Sequence, residues 1–146
     1  MDIEKAIKEK KIPSWEELSH SFDLTEDAKS LIEVRKMIAE HLEGYIKYLE
    51  ELLHPEQSLA SLYECKLFDD EEKQTIFTLF KRLMFIHRRA LELSLENGED
   101  ADISFINEAF TDWKAVKGQL KGIISRVKQS WKDPDVDISD MPEYFG

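Results

Sequence analysis

The sequence predicts an all-α fold: an antiparallel bundle of three long helices with short N-terminal helices added, of the three- to four-helix up-down type. Apolar residues recur at spacings of three and four over long stretches, which is the period of an amphipathic helix. No strand-like alternation persists, and only five Gly and four Pro interrupt 146 residues. A chain of this length is most simply one domain. The bundle is placed at residues 1–132 and a flexible acidic tail at 133–146.

Residues 2–11 have the pattern of a short helix that Pro13 ends. Ser14 with Glu17 three residues on is a capping box, opening a second short helix through about Ser21. Thr25, followed by Glu26 and Asp27, is expected to start a long helix reaching Leu53, where His54-Pro55 stops it. Its stripe is Leu31, Ile38, Leu42, Tyr45, Leu49 and Leu52, with Arg35 interrupting. Residues 57–66 read as short turns packing Leu59, Leu62 and Tyr63.

Asp69 and Glu72 cap the next helix, for which Asn97-Gly98 is the expected C-terminal signal. It has two parallel stripes. One is Ile76, Leu79, Leu83, Ile86, Ala90 and Leu93; the other is Phe77, Phe80, Met84, His87, Leu91 and Ser94. So wide an apolar arc suits a central helix touching two neighbours. His87, inside the second stripe, is expected to be buried and structural. Asp100 or Asp102 is expected to open the last helix, which covers 104–132. Its core stripe is Ile106, Ala109, Trp113, Val116, Leu120, Ile123 and Val127.

Net charge is −11, which favours solubility and disfavours nonspecific adhesion to nucleic acid or anionic membrane. A single cysteine, Cys65, excludes an internal disulfide and fits a reducing, cytoplasmic setting. The start MDIEKAIKEKKIPSW has no apolar signal core, and no apolar run approaches the ~20 residues of a membrane-spanning helix, so no membrane association is expected.

No catalytic signature is present, and neither enzyme activity nor a cofactor is expected. Glu17/His20 and Glu51/His54 have the Glu-x-x-His spacing of di-iron bundles, but the core stripes here are apolar, so no metal is expected. Cys65 has no local histidine or glycine-rich elbow and reads as a small buried hydrophobe. The glycines are too scattered for a phosphate-binding loop.

Basic and aromatic residues carry the functional expectation. Phe85 lies outside both stripes of its helix and is ringed at helical spacing by Lys81, Arg82, Arg88 and Arg89, with no acid between 81 and 89. Two readings stay open: the ring packs under a crossing segment while the bases snorkel, or it stacks on a base or an acidic-aromatic peptide. On the last helix Phe110, Lys114, Lys117, Lys121, Ile124, Lys128 and Trp131 form a second such ridge. Residues 104–132 hold six bases against two acids, a local +4 that leaves −15 to the rest of the chain. Were the two helices adjacent, the surfaces would merge into one patch. A small-residue stripe, Ala115, Gly118, Gly122 and Ser125, runs along the same helix. Two mid-helix glycines cost roughly 2 kcal/mol relative to alanine. A close helix crossing, within the bundle or in a homodimer, is the expected compensation.

The tail ends Ile138-Ser-Asp-Met141-Pro-Glu-Tyr144-Phe145. This resembles the peptide by which replication and repair proteins dock on the DNA sliding clamp. That family has a Gln, an aliphatic residue three positions on, and two aromatics at plus three and plus four from it. Met141, Tyr144 and Phe145 match the hydrophobic plug, and Ile138 stands at the Gln position. The resemblance implies a protein partner for the tail, which is also expected to fold back on the lysine ridge.

These readings converge on a non-enzymatic helical adaptor or accessory protein. Its expected partner is a protein, with a homodimer as a further expectation. Nucleic acid on the same ridge is the secondary reading.

Overall fold

The computed structural model of the protein describes residues 2–96 and 98–133. They form α1 (Ile3–Lys8), α2 (Trp15–Phe22), α3 (Leu31–Leu53), α4 (Leu59–Cys65), α5 (Asp70–Leu93) and α6 (Glu99–Ser130). There is no strand among them; Asp2 and Ser30 make an isolated bridge.

Long-range partners fix how the three long helices run. Arg89 pairs with Glu108 and Arg126 with Glu72, so α5 and α6 are antiparallel. Arg35 meets Asp102 while Tyr45 meets Trp113, so α3 and α6 are parallel. The order is therefore up-down-up, as the sequence predicts. Leu31, Val34, Ile38, Leu42, Leu49 and Leu52 of α3 enter one core with Ile76, Leu79, Leu83 and Ile86 of α5 and Ile106, Trp113, Val116, Leu120 and Val127 of α6. Burying a side chain of this class contributes roughly 1.5–3 kcal/mol.

Of the short helices, α1 lies by the start of α3, α2 packs beside His41 and Trp113 of α3 and α6, and α4 lies at the end of α6. Ser14 Oγ accepts from the Glu17 amide and starts α2, which inserts Leu18 and Phe22 into the core. Helix α4 meets the last turn of α6: Tyr63 Oη donates to the Ser130 carbonyl at 2.7 Å, and Trp131 Nε1 donates to Glu64 at 2.9 Å.

Several expected boundaries move. The long helix begins at Leu31 rather than Thr25, because Ser30 caps it by accepting from the Glu33 amide while Glu33 accepts from the Lys29 amide. That reciprocal cap outcompetes Thr25, and Ala28 turns into the core instead. Helix α5 has the predicted capping box of Asp69 and Glu72 but ends at Leu93. Gly98 is the N-cap of α6, at φ −148°, and not a left-handed helix terminator. Asp102 opens no helix; it is buried in the first turn of α6 against Arg35. Leu59 is exposed, whereas Leu62 and Tyr63 are buried.

The glycine stripe marks no crossing. A Cβ added at Gly118, Gly122 or Gly44 meets nothing within 4 Å. Gly118 is exposed, and Gly122 borders a shallow cleft shared with α5 without touching it. The predicted tail, residues 133–146, lies outside the described residues apart from Asp133, and so do Ile138, Met141, Tyr144 and Phe145.

Candidate partner-binding surface

The outer face of α5 is the surface on which exposed aromatic and basic side chains coincide. Phe85 is 71% exposed, so no crossing segment covers it among the described residues. Lys81, Arg82 and Arg88 are exposed around it, and Arg89 is half-buried. Two of these bases have partners within the fold. Arg88 Nη1 donates to His87 Nδ1 at 2.8 Å, and Arg89 pairs with Glu108 and donates to Ser104 Oγ at 3.3 Å. Lys81 Nζ sits 5.9 Å from the centroid of the Phe77 ring.

The second apolar stripe of α5 is only partly covered. Phe80, Met84 and His87 are half-buried, while Phe77 and Leu91 remain 43% and 57% exposed. The expectation of a buried His87 is therefore corrected. Its imidazole sits at the rim of a shallow cleft with Arg35, Lys36, Ala39, Glu40, Ala90, Leu91 and Ser94, between α3 and α5. The inner stripe of α5 supplies its buried residues, and the outer stripe lies at the edge of the core, with Phe80 and Met84 packed against it and Phe77 and Leu91 left exposed.

The lysine ridge of α6 divides differently. Lys114, Lys117, Lys121 and Lys128 are exposed as expected. Phe110 is not an exposed anchor: it is buried, with Lys114 Nζ 4.3 Å from its ring centroid, because α6 turns this flank toward the N-terminal segment. Asn107 on the same flank donates to the Lys11 carbonyl at 2.7 Å. Trp131 is half-exposed but stacks on Tyr63 with centroids 4.4 Å apart, tying α6 to α4.

The two basic surfaces do not merge. Glu108, Gln119, Gly122 and Arg126 face α5. At 3.6 residues per turn, Lys121 lies roughly 160° around the helix from Gln119. The ridge is thus on the flank of α6 away from α5, and adjacency of the two helices is not enough to join them.

Sequence reasoning missed two features. His41 forms an aromatic box with Phe22, Tyr45 and Trp113, at centroid distances of 5.9, 5.3 and 5.3 Å. Its Nε2 and the Trp113 Nε1 are buried without a hydrogen-bond partner in the described residues. Burial lowers the His41 pKa, with Lys117 adding to the effect and Asp23 opposing it. The other is the Arg35–Asp102 pair. The interruption of a core stripe by Arg35 was its visible signal, since a buried guanidinium requires an anionic partner.

No group of three or more His, Cys, Asp or Glu residues stands at metal-binding range among the described residues. His20 and His54 are exposed, and Cys65 is half-buried rather than buried. A cleft of about 530 Å³ between α1, α2 and residues 26–29 is walled by Ile7 and Trp15 and rimmed by Asp2, Glu4, Glu26 and Lys29. No described helix is long and apolar enough to cross a membrane.

Comparison with protein-family models, with curated proteins and with solved structures finds no match for this chain.

Proposed function

We propose that this chain is a non-enzymatic accessory protein that binds a macromolecular partner through the outer face of α5. The observation that supports it is Phe85, 71% exposed amid Lys81, Arg82, Arg88 and Arg89. A phenylalanine left in water forgoes roughly 1.5–3 kcal/mol of burial. Docking recovers that term, and the surrounding bases steer an acidic partner to it. On an acidic chain this is a local reversal of sign.

A protein partner fits better than nucleic acid. Phosphate binding draws on free cations and gains by releasing counterions from many contacts. Here Arg89 is paired with Glu108 and Arg88 is bonded to His87. The lysine ridge of α6 is a separate, weaker candidate, having lost Phe110 to the core and Trp131 to α4.

The test is affinity capture with the full chain, comparing wild type, Phe85→Glu, Lys117→Glu/Lys121→Glu and a deletion of residues 133–146. Loss of a specific partner only with Phe85→Glu, at unchanged circular dichroism, supports the reading. Loss with the lysine variant alone moves the interface to the ridge. Loss with the deletion alone moves it to the tail. Tight, steeply salt-dependent binding of a single-stranded oligonucleotide would favour the nucleic-acid alternative.

A further inference from the structure

The outer stripe of α5 has a spacing more specific than exposure alone. Phe77, Phe80, Met84, His87 and Leu91 follow one another at three, four, three and four residues, the a and d positions of a heptad. Phe77, Met84 and Leu91 are the a positions; Phe80 and His87 are the d positions. Lys81 and Arg88 stand one residue after each d, which makes both e positions basic. The e positions face the g positions of a parallel partner helix, or the e positions of an antiparallel one, and set its charge.

The structure leaves this seam partly open, along the edge where α5 meets α3. Phe77 and Leu91 are 43% and 57% exposed, and Phe80 and Met84 are half-buried. Phe77 and Phe80 stack on each other, with centroids 6.1 Å apart, and Phe80 and Met84 also pack against the edge of the core. From Phe77 to Leu91 the seam spans about 21 Å, at 1.5 Å per residue. That is four turns, the contact length of an ordinary helix.

We infer that this seam is the docking site of an amphipathic helix on the partner, with acidic residues facing Lys81 and Arg88. The inference rests on the proposed use of the α5 surface and names what occupies it. A second copy of α5 is a poor occupant. Antiparallel pairing sets Lys81 against Arg88 of the copy, and parallel pairing sets the bases against g positions, Ile76 and Leu83, that are buried in the core and offer no acid. Like charge opposes the first, and the second leaves both bases without a counter-charge. An acidic helix turns the same residues into attraction and covers Phe77 and Leu91 at once.

The probes are two 22-residue heptad peptides, both with leucine at a and d. One carries glutamate at e and g, the other lysine. Binding to the full chain is read by fluorescence anisotropy at 150 mM salt, and peptide helicity by circular dichroism. The acidic peptide is expected to bind and gain helicity, at least tenfold more tightly than the basic one. Phe77→Ser/Leu91→Ser should weaken it at least tenfold without unfolding the protein. Lys81→Glu/Arg88→Glu should invert the preference, so that the basic peptide binds more tightly; a merely misfolded variant cannot do this.

Equal binding of both peptides, failure of the inversion, or no binding of either overturns the inference. A twenty-nucleotide oligothymidine that binds where the acidic peptide does not points to nucleic acid instead and equally overturns it. So does a concentration-dependent dimer in sedimentation that Phe77→Ser/Leu91→Ser abolishes. Should a captured partner depend on Phe85 while the peptides fail, the helical occupant falls and the α5 surface stands.

Discussion

Arg35 Nη1 and Asp102 Oδ1 meet at 2.5 Å in the core, linking α3 to α6 through residues 67 apart in sequence. Both side chains are buried. Removing one partner of such a pair strands a charge out of water, at about 3–5 kcal/mol, whereas replacing both by apolar residues is often nearly neutral. Asp102→Ala is therefore expected to cost roughly 3 kcal/mol or more in urea unfolding. Arg35→Met/Asp102→Leu should recover most of that loss. A single variant as stable as wild type would show that the pair contributes nothing to the fold.

The open glycines give the opposite sign from the sequence expectation. Gly118→Ala and Gly122→Ala place methyls in free space on a helix. Each should raise stability by about 1 kcal/mol through helix propensity alone. The two effects should add in a thermal melt. A destabilised double variant would reveal a close neighbour at this stripe.

His41 gives the protein a pH dependence of known sign. Burial holds its folded-state pKa below the ordinary 6.5. The unfolded chain then takes up its proton first as pH falls. Stability attributable to His41 is complete above about pH 6.5 and declines as pH drops from there toward the folded-state value. Wild type should lose more stability between pH 7.5 and 5.5 than His41→Phe, as measured by urea midpoints. Parallel curves for the two proteins would contradict the assignment.

Trp131 is predicted to act within the fold rather than on a partner. Its ring lies on Tyr63 and its indole N–H bonds Glu64. Trp131→Ala should cost about 1 kcal/mol through the lost stacking and hydrogen bond. It should also speed amide exchange in α4 while leaving partner capture intact. Lost capture with unchanged exchange would restore Trp131 as an anchor.

The parts legible in the sequence are those set within a few residues of chain. Helical periodicity gave α3, α5 and α6, and the Ser14 and Asp69 caps followed from residues three apart. Phe85 was marked as anomalous by its position outside two stripes, which is also a local property. Even the start of α3 had a local cause, because Ser30 and Glu33 form a better reciprocal cap than Thr25 offers.

What the tertiary structure decided is which flank of each helix meets which neighbour. Periodicity defines stripes but not their occupants. Phe110 and Phe85 look alike in sequence, each beside lysines or arginines. One is buried where the N-terminal segment meets α6, and the other is exposed because no described segment crosses α5 there. Gly118 and Gly122 look like a contact stripe, yet a Cβ at either meets nothing within 4 Å, because α6 packs on α3 and α5 through its apolar stripe instead. Arg35 reads as a break in a core stripe until Asp102, far along the chain, is folded against it. Local chemistry sets the helices by itself, whereas a side chain's role at an interface depends on groups brought near only by folding.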